Sequence, residues 1–174
     1  YDLKRSNEIL SKITNNQPIG YRAPMGSIGD KNIWVLDVLV NNGFKYDSSI
    51  YTSSLLVHSG SKYVSEDISE VKEGFWEVPL SVETYMKIPV PISGGFYLRS
   101  LPFSIFKKLM SNRNEANKVT VLYYHPWEFS TNYPQIAQSF FKRFIQYYNL
   151  SSVKPKLEEL LKVYDFVPIS NIFE

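Results

Sequence analysis

Lys118-Val119-Thr120-Val121-Leu122-Tyr123-Tyr124 is the stretch on which the reading of this chain turns. It is nearly continuous in β-branched and aromatic residues, the composition of a strand covered on both faces. It ends at His125-Pro126-Trp127-Glu128. Working outward, shorter strands are expected at 19–22, 44–47 and 76–80, and a last one at 165–169. Helical spacing of apolar residues predicts helices over 2–14, 31–41, 102–112 and 154–163. Asp30 is the expected N-cap of the second helix, Asn41-Asn42-Gly43 its stop, and Pro102 lies near the first turn of the third. Residues 51–74 read as a long polar surface loop. Residues 85–97, with Ile88-Pro89-Val90-Pro91-Ile92 and Gly94-Gly95, read as a hairpin or loop. The aromatic stretch 133–149 reads as a helix packed on the body of the domain. Strands alternating with helices predict an α/β fold whose strands form one largely parallel, curved sheet. With no repeat, linker or low-complexity segment, residues 1–174 read as a single domain.

Composition narrows the function. The 174 residues are 44% hydrophobic, 16% aromatic and 21% charged, which is globular and not disordered. Nineteen basic residues face 17 acidic ones, a balance that argues against a nucleic-acid binder. No apolar run reaches the roughly 18 residues of a transmembrane segment. There are no cysteines, so disulfides, zinc fingers and a thiol nucleophile are excluded. With two histidines, His58 and His125, the chain cannot build a His-rich metal cage. It opens on Tyr1-Asp2-Leu3 without an initiator Met, so we expect a start internal to something longer, and the compartment, cytoplasmic or cell-envelope, stays open.

Three polar segments each follow an expected strand: Arg22-Ala23-Pro24-Met25-Gly26, Asp47-Ser48-Ser49 and His125-Pro126-Trp127-Glu128. Strand carboxyl ends converge on one face in parallel α/β folds, so Arg22, Asp47 and His125 are expected on one cleft. His125 suits general acid–base work, or is a histidine satisfied by a backbone carbonyl. Arg22 could fork a carboxylate, or form a surface ion pair. Asp47 could cap Ser48 and Ser49. His58 lies in the polar loop as a solvated side chain. A Ser–His–Asp triad through Ser48 or Ser49 lacks the nucleophile elbow G-x-S-x-G.

Four segments occur in order: Gly20-Tyr21-Arg22-Ala23-Pro24, Gly43-Phe44-Lys45-Tyr46-Asp47-Ser48-Ser49, Leu122-Tyr123-Tyr124-His125-Pro126-Trp127-Glu128 and Asp165-Phe166-Val167-Pro168-Ile169. Together they resemble the polysaccharide deacetylase family, in its branch found with bacterial exopolysaccharide synthesis. The resemblance implies part of a distorted (β/α) barrel with mainly parallel strands, and a metal-dependent N-deacetylase acting on hexosamines of a polysaccharide. It implies that His125 is the general acid and that Arg22 holds the base. Leu122 would line the acetyl pocket, and Tyr46 and Asp47 a groove wall. It also implies a divalent metal, zinc by analogy, held by an Asp pair and an H-x-x-x-H segment. Neither is present in these residues, so the expectation is a C-terminal portion that is inactive alone, with base and metal ligands upstream of Tyr1.

Two functions follow. One is hydrolysis of an N-acetyl group, with His125 protonating the leaving amine. The other is a non-catalytic glycan-binding or assembly domain of the same fold, with Trp127, Tyr133 and Tyr147 as stacking surfaces.

Overall fold

The protein is described by a computed structural model covering residues 1–52, 61, 64–130, 136 and 139–173. The chain forms two compact units, Tyr1–Leu80 with Pro168–Glu174, and Ser81–Val167.

In the first unit Asp2–Thr14 is helix α1, closed by Asn15 in the left-handed region at φ 56. Gly20–Tyr21 is strand β1, Val35–Val40 helix α2, Tyr46–Asp47 strand β2, Ser69–Lys72 strand β3 and Phe75–Glu77 strand β4. The sheet order is β1-β2-β4-β3, parallel from β1 to β4, with β3 antiparallel at the edge. Tyr21, Asp47 and Glu77 are in register, and so are Gly20, Tyr46 and Trp76. Neighbours in register share a face of the pleat. The first row adjoins the core of Leu36, Leu39, Phe44, Ile50 and Phe75. On the other row Phe173 stacks on Tyr46 with centroids 5.0 Å apart. A Cβ at Gly20 would overlap the Tyr46 ring, so glycine lets that ring lie over β1. Beyond β4 the parallel pairing runs on: Val78 N–H donates to Asp47 O and Leu80 N–H to Ile50 O, both at 2.8 Å.

In the second unit Val82–Tyr85 (β5) and Ile88–Pro91 (β6) form an antiparallel hairpin. Its two turn residues, Met86 and Lys87, both take positive φ, 49 and 68. That is the twist a two-residue hairpin needs, here without the usual Asn-Gly. Helices follow at Gly95–Ser100 (α3), Phe103–Glu115 (α4), Phe140–Tyr147 (α5) and Val153–Leu161 (α6). Ile92, Leu98, Phe106, Leu109, Met110, Val153 and Leu160 make the core. The fold is therefore mixed α/β with a partly parallel sheet, and no closed barrel is found among the described residues. Among them, too, no helix is long and apolar enough to cross a membrane.

Several expectations are corrected. Residues 119–124 are extended but form no regular strand; Tyr123 makes one parallel bridge to Gly94. Serine hydroxyls take over the ladder's role. Ser93 Oγ–H donates to Val121 O at 2.7 Å, and Val121 N–H donates to Ser81 Oγ at 2.9 Å. Residues 165–169 are no strand either: Pro168 precedes a 3-10 turn over Ile169–Ile172. Asp30 is not an N-cap, because Asn32 Oδ1 accepts from Gly29 N–H at 2.8 Å and closes a separate 3-10 turn before α2. Within 51–74, described only in part, β3 forms a strand and Gly74, at φ 69, turns the chain into β4. Helix α5, expected to pack on the body, buries none of its residues.

Candidate functional site

In the first unit, the segments after β1 and β2 are tied together. Arg22 Nε–H donates to Ser48 O and Nη2–H to Ser48 Oγ, both at 2.7 Å. Ala23 N–H donates to Ser49 Oγ at 2.7 Å. Met25 and Gly26 turn the loop back with φ of 60 and 57. A side chain at Gly26 would also press on Ser49 O at 3.1 Å, so glycine is required twice over there.

Asp47 accepts from Ser49 Oγ–H at 2.6 Å through Oδ1 and from Ser49 N–H at 3.1 Å through Oδ2. Its exposure is 0%, as is that of Glu77 beside it on β4. Glu77 Oε1 accepts from Ile50 N–H at 3.1 Å. Burial pushes both carboxyl pKa values up, and the Asp47 charge adds to the shift at Glu77, taking it to about 10. Ser49 and the Glu77 carboxyl hydrogen-bond to Asp47 and pull it partly back. Glu77 therefore carries the proton at neutral pH and donates it to the Asp47 carboxylate. That proton resolves the otherwise partnerless Glu77 Oε2, since two ionised carboxylates offer each other no donor. The pair is sealed from water. Asp47 thus caps its own turn, which corrects its expected place on an open cleft or groove wall. The hydroxyls of Ser48 and Ser49 engage Arg22, Ala23 and Asp47; His58 lies outside the described residues. Tyr46 stands half-buried under Phe173. Arg22 and Tyr21 also line an open, mainly apolar groove of about 470 Å³ with Leu3, Trp34, Val38 and Phe44.

In the second unit, His125 opens a 3-10 turn over Pro126–Phe129. Its ring is exposed and lies parallel to the Trp127 ring, centroids 6.0 Å apart and planes 11° apart. Tyr123 meets it edge-on at 5.9 Å. The turn is fastened from beneath. His125 N–H donates to Glu128 Oε2 at 3.0 Å, and Glu128 N–H donates to His125 O at 2.9 Å. Arg99 Nη2 reaches Glu128 Oε1 at 3.1 Å, with both side chains 2% exposed. The same guanidinium donates to Tyr148 O at 2.7 Å and Ile145 O at 3.2 Å, and lies 5.9 Å from the Trp127 ring. A Cβ at Gly95 would overlap the Glu128 carboxylate, so α3 begins with glycine where the carboxylate presses on its backbone. Leu122 packs half-buried against the second core.

A family model described as a domain of unknown function, DUF3473, matches residues 48–174. The chain belongs to the DUF3473 family. DUF3473 domains are associated with polysaccharide deacetylases. The match takes in His125, Trp127, Glu128 and Arg99, while Arg22, Tyr46 and Asp47 precede it. No curated protein and no solved structure matches the chain.

Arg22 and His125 lie in different units, and each is placed by its own neighbours. Sequence reasoning missed Glu77, Arg99 and Glu128. Glu128 carried a signal, since an acid three residues past a turn's first residue can reach back to that residue's N–H. Arg99, between an expected loop and an expected helix, carried none. Among the described residues no three His, Cys, Asp or Glu side chains gather to hold a metal. The acid pair Asp47 and Glu77 is sealed and shares a proton, so it does not fit a divalent ion.

Proposed function

We propose that this chain is part of a polysaccharide N-deacetylase acting on N-acetylhexosamine units, with His125 donating the proton to the leaving amine. The observation that carries the reading is the His125–Trp127 pair. It is an exposed imidazole parallel to an indole, on a turn whose carboxylate is anchored by a buried guanidinium. Membership of DUF3473, a domain associated with polysaccharide deacetylases, and the order of the four sequence segments support it. The parallel run from β1 to β4 agrees with strands belonging to a distorted (β/α) barrel.

The chemistry asks for a proton donor that can wait in water without being sequestered. A histidine does this near neutral pH. Glu128 and Arg99 set the backbone position from which the ring projects, and the indole restricts its rotation. Trp127 also offers a flat face to a sugar ring. On this reading the base and a divalent metal, zinc by resemblance, come from outside the described residues. Exopolysaccharide synthesis is the setting the resemblance favours.

The test is acetate release from an N-acetylglucosamine oligomer by the chain joined to the upstream segment the resemblance implies, with zinc supplied. Release above the chain-free control is the expected result. Oligomer binding by calorimetry without any release would instead establish the glycan-binding alternative.

A further inference from the structure

We propose that helix α5 is a membrane-surface anchor that lies flat in the interface of an anionic lipid bilayer. At 100° per residue, Phe140, Phe141, Phe144, Ile145 and Tyr148 fall on one arc of the helix, and Lys142, Arg143 and Gln146 on the opposite one. The apolar arc faces out. Phe140 is 87% exposed and Phe141 70%, with Ile136 just before them at 66%. A monomeric soluble protein rarely leaves such a contiguous aromatic face in water.

Carbonyls at the end of the helix tie it to the rest of the second unit. Arg99 takes those of Ile145 and Tyr148, and Phe144 meets Phe96 at one edge. Among the described residues its apolar face is thus left for a partner.

Charge decides what that is. Helix α5 itself carries Lys142 and Arg143, and between Glu128 and Glu158 there is no Asp or Glu, in a chain whose net charge is only +2. An aromatic face with cations on the other side is the pattern of a helix seated among anionic headgroups. A glycan platform would need polar groups to satisfy hydroxyls, and phenylalanine has none. At eight residues the helix spans about 12 Å, enough to lie on a bilayer and too short to cross it.

The test is co-sedimentation of the whole chain with phosphatidylcholine vesicles, with and without about a third phosphatidylglycerol. Wild type should sediment with the anionic vesicles and be released by salt. Phe140→Ser with Phe141→Ser should weaken binding about a hundredfold, and Lys142→Glu with Arg143→Glu about tenfold. Unchanged circular dichroism melting would show that these exposed substitutions leave the fold intact. The proposal is overturned if wild type stays in the supernatant with both vesicle types, or if the phenylalanine variant sediments as well as wild type. A concentration-dependent dimer lost in that variant, without vesicle binding, would overturn it in favour of self-pairing.

Discussion

Glu77 in the first unit and Glu128 in the second are equally hidden from water, yet one faces an acid and the other a guanidinium. A lone buried carboxylate is costly, and the two units meet the problem in opposite ways. The first removes one charge of the two: Glu77 keeps its proton and gives it to the Asp47 carboxylate. The second keeps the charge and matches it with Arg99 and the His125 backbone N–H. The neutral solution closes a sheet, with nothing reaching solvent. The ionic solution supports a turn whose outer side carries an exposed imidazole beside a half-buried indole. Burial of an acid is thus not by itself a sign of a site; what its partners hold up decides.

The largest stability effect should come from breaking the ionic solution. Arg99→Met removes the guanidinium and leaves the Glu128 charge buried, at a cost of about 3–5 kcal/mol. Urea unfolding followed by tryptophan fluorescence would measure it. A cost below about 1 kcal/mol would mean that Glu128 finds water or a proton instead.

The neutral solution should show itself in pH dependence. Glu77 is protonated up to about pH 10 in the folded chain, whereas its ordinary value is 4.5. Between these limits the folded state holds the extra proton. This stabilisation is full below about pH 4.5 and is lost as pH rises toward about 10, with raised Asp47 acting in the same sense. Wild type should lose on the order of a few kcal/mol across that range, and Glu77→Gln should flatten the curve. Equal slopes in the two proteins would break the comparison at its acid–acid end.

Gly95→Ala comes next. It drives a methyl into the Glu128 carboxylate and should cost about 1–3 kcal/mol, whereas Gly74→Ala, at φ 69 with open space around it, should cost about 1 kcal/mol. Thermal melts of both variants would sharpen the claim that Glu128 is tightly seated. The smallest effect belongs to an ion pair in water. Lys107 and Glu159 approach to 2.6 Å, but both are more than 40% exposed, so Lys107→Met should change stability by no more than about 0.5 kcal/mol.

Local periodicity made α1, α4 and α6 legible, because each repeats apolar residues every three or four positions. The parallel pairing of β1, β2 and β4 was legible from strands alternating with helices. The stretch that looked most like a strand, 118–124, misled for a physical reason. Its composition reports burial, but of these residues only Val121 is buried and Val119 is exposed, and Ser81 and Ser93 supply hydrogen bonds that a neighbouring strand's backbone would otherwise give. No propensity scale sees a serine 40 residues away. Strand 165–169 failed because Pro168 and the 3-10 turn after it forbid a ladder. At the candidate site, His125 and Trp127 could be read from their motif. Glu77 and Arg99 could not, because their importance comes from partners 30 and 29 residues away. Asp47 was legible in its modest role as a cap and illegible in its burial.

The central claim is that proton transfer belongs to the exposed His125 turn and not to the sealed acid pair. It is tested most directly by acetate release from an N-acetylglucosamine oligomer, comparing His125→Ala with Glu77→Gln in the zinc-supplied chain joined to the upstream segment the resemblance implies. His125→Ala should lose about two to four orders of magnitude in kcat with little change in KM and no change in melting, while Glu77→Gln should keep the wild-type rate at neutral pH. Undiminished turnover in His125→Ala, or its loss in a well-folded Glu77→Gln, would contradict the account.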